Sequence, residues 1–316
     1  MWAAAGESGP AAAARAAAER LARTLRNAVR RSESVLPDGS LFVPARLLDD
    51  ERPYGSVAAG LHGTYWNLVA PDGLASGYFT PGGAQATGAL DYLLRHGSRL
   101  LGLVRAGAYS LYGRGRADGS GTDEVYGLNV ARFLADNDRP DQLVLSLYGD
   151  LAAGMTENTF VSGEGATVAP LEGAYYRSMY LPPNSTSNAT FLELLRLMLV
   201  HETFDANGAP IGLELAYSTP RAWLAPGKRI VVRRAPTALG PVSYTLTARA
   251  HSVAVRLHVP RGTRLHELRL RLRRPGSPRI TRVLVDGKLL DRPLVSPDTI
   301  DLDGLSGPVT VVADFS

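Results

Sequence analysis

Leu268-Arg269-Leu270-Arg271-Leu272-Arg273 is the stretch that decides the fold of the C-terminal third. Because side chains alternate across a strand, this stretch forms one leucine face and one arginine face when it is extended. The same period of two recurs in residues 211–215, 242–247 and 253–259. Short alternating strands separated by Pro/Gly turns predict an antiparallel β-sandwich. We expect its leucines to lie inside and its arginines to face outward, where they deter aggregation.

A hairpin is predicted near the end of this region. Asp286-Gly287 separates Val283-Leu284-Val285 from Lys288-Leu289-Leu290. Asp-Gly between two apolar runs is typical of a type I′ turn.

The first two thirds of the chain show helical spacing instead. Six helices are predicted, over residues 10–34, 57–70, 84–104, 123–136, 139–154 and 187–203. Thr122 is the expected N-cap of the fourth helix. The sequence therefore predicts helices first and strands afterwards, with a break near 203–212. We expect a helical domain over 1–205 and a sandwich domain over 206–316.

Charge supports this division. Residues 218–316 hold 17 Lys/Arg and 7 Asp/Glu of the 34 and 30 in the whole chain, so the C-terminal part is basic and the remainder acidic. The chain has no cysteine, which removes disulfides, thiol nucleophiles and cysteine metal sites. We recognise no signal peptide or membrane span and expect a soluble protein with no metal and no cofactor.

Four segments carry a resemblance to a known superfamily. They are Gly63-Thr64-Tyr65-Trp66-Asn67-Leu68, residues 121–129 (GTDEVYGLN), residues 159–165 (TFVSGEG), and Pro220-Arg221-Ala222-Trp223-Leu224 with Gly240-Pro241-Val242-Ser243-Tyr244. The chain resembles bacterial six-hairpin glycosidases, the superfamily that includes the α-L-rhamnosidases. That resemblance implies an (α/α)6 toroid of twelve helices, followed here by the sandwich, and a carbohydrate substrate.

Only about six of the twelve helices fit in this chain. We therefore expect a partial toroid, the C-terminal half of the ring, built from antiparallel helical hairpins. The N-terminal half, or an upstream domain, is its expected partner. A half-toroid exposes an apolar flank that the other helices would cover.

Glycoside hydrolysis generally uses two carboxylates on either side of the scissile bond. Glu164 is the first candidate, because glycines flank it in a long loop and allow close approach to a ligand. Asp123 and Glu124 are next, although acids that open a helix also favour the helix dipole. Glu157 and Glu172 lie in the same loop region. If alternate helix connections share one rim, Glu164 and the Asp123/Glu124 pair should be neighbours.

Other side chains are candidates for binding the substrate. The set comprises Tyr65, Trp66, Tyr175, Tyr176, Arg177 and His201. Aromatic rings stack on sugars but more often pack in the core. An arginine can hold a carboxylate through two hydrogen bonds but more often forms a structural pair. His201 and Glu202 are expected at the end of the last helix, and as adjacent residues they cannot share a helix face as zinc ligands do.

Two other functions stay open. A polysaccharide lyase would use a Tyr or His base and an arginine that neutralises a uronate, drawn from the tyrosines, Arg177 and His201. A non-catalytic carbohydrate-binding or structural remnant is the third possibility, because half a toroid need not hold a complete site. Nucleic acid is not expected, because the arginine face of the 268–273 strand lacks interleaved aromatic residues.

Overall fold

The computed structural model describes residues 2, 5–106, 121–171, 174–205, 208–260 and 265–316, and gives the backbone alone over 169–178. Within these ranges it contains six α-helices. They are α1 (Ser8–Ser32), α2 (Leu61–Leu74), α3 (Ala84–Arg95), α4 (Gly127–Asp136), α5 (Pro140–Gly149) and α6 (Ser185–Leu199). A 3-10 turn (Glu124–Tyr126) precedes α4, and a π-helix (Asp150–Gly154) extends α5. Each helix overlaps one of the six predicted from sequence.

Two helix ends were predicted wrongly. The helix predicted over 84–104 ends at Arg95, and Gly97 follows with φ +76°, outside the helical region. The helix predicted over 187–203 ends at Leu199, and residues 200–204 are a strand. Thr122 is also not an N-cap, because it lies in a strand and donates its hydroxyl to the Glu124 carboxylate.

Strands also lie among the helices, which contradicts the prediction that the first 200 residues are helical throughout. A five-stranded sheet has the order β3-β4-β5-β6-β7, and every neighbouring pair is antiparallel. Its strands are β3 (Arg99–Leu100), β4 (Leu103–Ala106), β5 (Gly121–Asp123), β6 (Gly165–Leu171) and β7 (Ala174–Tyr180). A small hairpin, β1 (Ser34–Val35) with β2 (Leu41–Phe42), follows α1. These strands are too short, or too irregular in period, for sequence alternation to reveal them.

The C-terminal part holds two further sheets, as the alternating pattern predicts. One has the order β16-β13-β9-β8, from β8 (Val200–Phe204), β9 (Pro210–Leu215), β13 (Glu267–Arg271) and β16 (Thr299–Asp301). The other has the order β10-β11-β12-β17-β14-β15, from β10 (Arg229–Ala235), β11 (Val242–Ala248), β12 (Ser252–Val259), β14 (Ile280–Val285), β15 (Lys288–Leu289) and β17 (Gly307–Phe315). Antiparallel pairing dominates both sheets, but β9 and β13 are parallel, because the chain crosses the other sheet between them. The Asp286-Gly287 hairpin is confirmed, with φ values of 47° and 79°.

The four-stranded sheet is the middle layer of the molecule. Leu268, Leu270 and Leu272 are fully buried and share one hydrophobic core with the six-stranded sheet. A second core lies among the helices and includes Tyr217, whose hydroxyl donates to the Ala135 carbonyl at 2.9 Å. The four-stranded sheet therefore packs leucines on one side and contacts the helical region on the other.

The arginine face of β13 does not point to solvent, which corrects the expectation for this strand. Arg271 binds Asp138 through two nitrogens, at 2.6 and 3.1 Å, and its guanidinium lies 5.1 Å from the Tyr217 ring centroid. Arg273 follows the strand, is 1% exposed, and pairs with Asp141 at the start of α5. The sequence would alternate in the same way if the arginines faced solvent. The arginine face is buried only because the acidic α4–α5 connection packs against this sheet.

We expect Arg273→Met to lower the free energy of unfolding by about 1–2 kcal/mol. The substitution keeps the aliphatic volume but leaves the Thr219 carbonyl without its charged donor. The loss stays moderate because the Asp141 side chain is 76% exposed and regains water. Urea unfolding checks this. Arg256→Met, on the exposed face of β12, is the control and should change stability by less than about 0.5 kcal/mol; an equal loss in both variants would argue against a junction role for Arg273.

Within the described ranges, α4 contacts α2, α5 and α6, of which only α5 follows it directly in the chain. The fold is thus six helices with an inserted sheet, followed by a two-sheet sandwich, and a toroid is not visible in it. None of the helices described is long and apolar enough to cross a bilayer.

Candidate functional site

Asp123 and Glu164 lie side by side where β5 meets β6. Asp123 is the register partner of Gly165, the residue after Glu164. The Glu164 carbonyl accepts hydrogen bonds from the amides of Glu124 (3.1 Å) and Val125 (3.3 Å). The Asp123 and Glu164 side chains are both partly exposed. The structure therefore brings the three acids singled out in the sequence to one place, and their catalytic role stays a prediction.

The reason for this proximity differs from the one argued from sequence. Helix connections at a shared rim were expected to make these acids neighbours, whereas pairing of β5 with β6 does so. Backbone hydrogen bonds fix the relative positions of the two strands more tightly than a shared rim of loops would. The corner formed by Asp123, Glu124, Asp150 and Glu164 is called the acid corner below.

Glu124 and Asp150 are the buried part of the acid corner. Glu124 is 1% exposed and Asp150 is 2% exposed. In the described part of the chain, Glu124 Oε2, Asp150 Oδ1 and Asp123 Oδ1 are buried and have no hydrogen-bond partner. A Cβ atom added to Gly154 would lie 2.2 Å from Asp150 Oδ1 and 2.7 Å from Glu124 Cγ, so both acids crowd the same glycine.

Burial and mutual repulsion shift the protonation of these acids. Burial, followed by the charges of Glu124 and Glu164, raises the pKa of Asp123 to about 7. Burial raises the pKa of Glu124 to about 7, partly opposed by the Thr122 hydroxyl. Burial and the Glu124 charge raise the pKa of Asp150 to about 7. A carboxylic acid that keeps its proton near neutral pH is suited to donate it.

The space beside Glu124 and Asp150 is too small for a sugar. A cavity of about 20 Å³ lies there, also lined by Ser146 and Thr190, and has room for about one water molecule. A sugar ring therefore cannot enter beside Glu124 and Asp150, and the partly exposed acids of the corner are Asp123 and Glu164. Asp150 was missed by sequence reasoning, because it reads as an ordinary residue of the predicted helix over 139–154 and only the fold places it against Glu124.

Gly165 lets the two strands of the acid corner come together. A Cβ at this position would lie 2.5 Å from the Thr122 carbonyl oxygen, which is backbone and cannot rotate away. We expect Gly165→Ala to lower the free energy of unfolding by about 2 kcal/mol and to separate Asp123 from Glu164. Chemical denaturation measures the loss. Gly73→Ala is the control, since a Cβ there meets nothing within 4 Å and the helix should be unaffected or slightly stabilised. A stable Gly165→Ala variant would show that the strands tolerate separation.

Tyr65 and Trp66 have different surroundings. Trp66 is 2% exposed, donates its ring N–H to the Val43 carbonyl at 2.8 Å, and packs 5.1 Å from the Tyr92 ring. We therefore assign Trp66 to the core and not to a sugar platform. Tyr65 is 45% exposed on α2 and stays a candidate.

Tyr175, Tyr176 and Arg177 lie on β7, and their side chains are outside the described residues. The backbone register pairs Arg177 with Val168 and Tyr175 with Pro170, on the strand that continues from Glu164. Glu172 is also outside the described residues. Glu157 is exposed.

His201 lies far from the acid corner. It is in β8, not at a helix end, and is 6% exposed. Nδ1 lies 2.7 Å from Glu214 and Nε2 lies 3.4 Å from Asp136. Burial alone would lower its pKa, but Asp136 and Glu214 outweigh this and raise the pKa to about 9. Helix α4 begins beside Glu124 and ends at Asp136, so its ten residues separate the two places by about 15 Å.

In the described part of the chain, no group of three or more His, Asp or Glu side chains has an arrangement that could hold a metal ion.

Comparisons with known proteins give only distant similarity. No protein-family model matches the chain, and no curated protein matches it. A solved structure titled "Glycoside hydrolase" matches with a TM-score of 0.32 and 12% identity, over 62% of this chain and 33% of that one. A GH127 β-arabinofuranosidase matches with a TM-score of 0.40 and 10% identity, over 79% of this chain and 42% of that one. The chain thus spans less than half the length of either, and similarity at this level indicates neither activity nor substrate.

Proposed function

We propose that this chain carries a glycoside-hydrolase site at the acid corner and acts on a polysaccharide or oligosaccharide. The observation that carries the proposal is the pairing of β5 with β6, which sets the partly exposed Asp123 beside the partly exposed Glu164. Glycoside hydrolysis requires one carboxyl group that donates a proton and one that is ionised. The raised pKa of Asp123 suits it to the first role, and Glu164 takes the second.

The proposed reaction needs no group beyond this chain and water. Asp123 gives its proton to the glycosidic oxygen as the C–O bond breaks. Glu164 accepts a proton from the water molecule that attacks the anomeric carbon. The products are a free alcohol and a reducing sugar, and the anomeric configuration inverts. Glu124 supports the reaction by helping to keep Asp123 protonated near neutral pH, since the negative charge of Glu124 disfavours ionisation of Asp123.

The wider architecture belongs to the same proposal. We take the six helices as one part of an (α/α)6 toroid that a neighbouring helical region completes. The acid corner acts in this proposal without a cofactor. Exposed apolar side chains on the first helices, Leu21, Leu25, Leu61 and Val69, support an apolar flank of the kind a partial ring would leave.

The lyase alternative is weaker because His201 does not suit the role of its base. His201 lies at the opposite end of α4 from the acid corner and is held by two carboxylates. With its pKa raised to about 9, it is protonated at neutral pH and cannot serve as a base.

The test is to incubate the chain with aryl glycosides and plant or microbial polysaccharides and to identify the products. We expect new reducing ends with inverted configuration by NMR, and activity that falls as pH rises through about 7, where Asp123 loses its proton. Unsaturated products that absorb in the ultraviolet would establish a lyase. Saturable sugar binding without any cleavage would establish the non-catalytic alternative.

A further inference from the structure

A second cavity lies at the junction between the helices and the sandwich. Its volume is about 350 Å³, within the range of roughly 300–1,000 Å³ found for small-molecule sites. Side chains of α4, α6 and β8 line it. The charged ones are Arg132, Asp136, Glu193, Arg196, His201 and Glu202.

The charges of this junction cavity balance. Three cationic and three carboxylate side chains face it, because His201 is held in its charged form by Glu214 and Asp136. A neutral lining gives no preference for a ligand with net charge.

Two of the ion pairs in the junction cavity are long: Arg132 lies 3.8 Å and Arg196 3.9 Å from Glu193. His201 Nε2, by contrast, is hydrogen-bonded to Asp136 at 3.4 Å. Guanidinium–carboxylate separations beyond about 3.5 Å are not hydrogen bonds, so donors and acceptors remain available to a ligand. A group that both donates and accepts at each position fits such a lining, and a hydroxyl does so.

We propose that the junction cavity binds a neutral polyhydroxylated ligand of monosaccharide size. Its hydroxyls accept from Arg132 and donate to Asp136 and Glu193. Phe204, which lines the cavity and is 52% exposed, supplies an apolar face for the sugar ring. The cavity lies at the far end of α4 from the acid corner, so this binding does not depend on the proposed hydrolysis.

Saturation-transfer NMR tests the proposal with D-glucose, D-galactose, L-arabinose and L-rhamnose, each titrated separately. We expect at least one sugar to give a saturable signal. Arg132→Met and Phe204→Ala should each weaken its binding by about tenfold or more, because a charge-assisted hydrogen bond or a stacking face is lost. Arg95→Met is the control: Arg95 is similarly exposed (53% against 49%) and pairs with Asp91 on α3, outside the cavity.

Thermal unfolding of each variant confirms that the fold is retained before binding is compared. The proposal is overturned if none of the four sugars binds, or if binding persists unchanged in Arg132→Met and Phe204→Ala. Binding that these variants keep and Glu164→Ala removes would place the sugar at the acid corner instead.

Discussion

Glu164→Gln is expected to lower the turnover of a cleaved glycoside by about 10²–10⁴-fold, the contribution that a general acid or base makes to catalysis. Glutamine keeps the size of the side chain but cannot take a proton from water. The fold should be unaffected, since the side chain is partly exposed and the strand contact uses the Glu164 carbonyl. Initial rates of product release at saturating substrate are the measurement.

Two further variants make this result specific. Glu157→Gln changes an exposed acid in the same loop region and should keep near-native turnover. Asp123→Asn should also lose activity, and the loss should be smaller for aryl glycosides with good leaving groups, which need no proton. Near-native turnover in Glu164→Gln would remove Glu164 as the catalytic base and leave the acid corner as a structural feature.

The buried acids should make the protein more stable in mild acid than in mild alkali. The pKa values of Glu124 and Asp150 are raised to about 7 in the folded state, against 4.5 and 3.8 in the unfolded chain. Between about pH 4 and 7 the folded state therefore holds more protons than the unfolded state. Stability must then fall as pH rises through this window, and above about pH 7 it stays at the lower level.

Replacing either Glu124 or Asp150 by its amide should remove part of this loss of stability with rising pH. We expect Glu124→Gln, and separately Asp150→Asn, to raise the free energy of unfolding at pH 8 by about 1–3 kcal/mol, with little change at pH 4. The two effects should not add, because the charge of Glu124 helps to raise the pKa of Asp150. Urea unfolding from pH 4 to 8 is the measurement.

Asp291→Asn is the matched control, since Asp291 is an exposed acid in the sandwich. The free energy of unfolding of this variant should follow the wild-type dependence on pH throughout. If Glu124→Gln and Asp150→Asn also follow that dependence, these acids ionise without penalty in the folded state, and the proposed support of Asp123 by Glu124 is wrong.

Local pattern was enough to predict the approximate positions of the six helices and of several strands of the sandwich. The leucines at 268, 270 and 272 are in the core because strand periodicity puts all three on one apolar face, which packs against the other sheet. The Asp286-Gly287 turn follows from the backbone preferences of those two residues. Asp123 and Glu164 were candidates because each acid lies beside glycines or at the start of a helix, which are local features too.

Tertiary structure decided everything that depends on which segments meet. It inserted a sheet among the helices, because short strands such as β5, of three residues, are stabilised only by pairing with partners distant in sequence such as β6. It buried Arg273 against α5, although the sequence gives the same alternation for an exposed strand. It also set Asp150 against Glu124, where burial raises both pKa values to about 7 and the Glu124 charge adds to the shift of Asp150. The burial of Arg273 and the raised pKa values depend on how far water is excluded and how closely charges approach. Residues distant in sequence set both, so no local pattern encodes them.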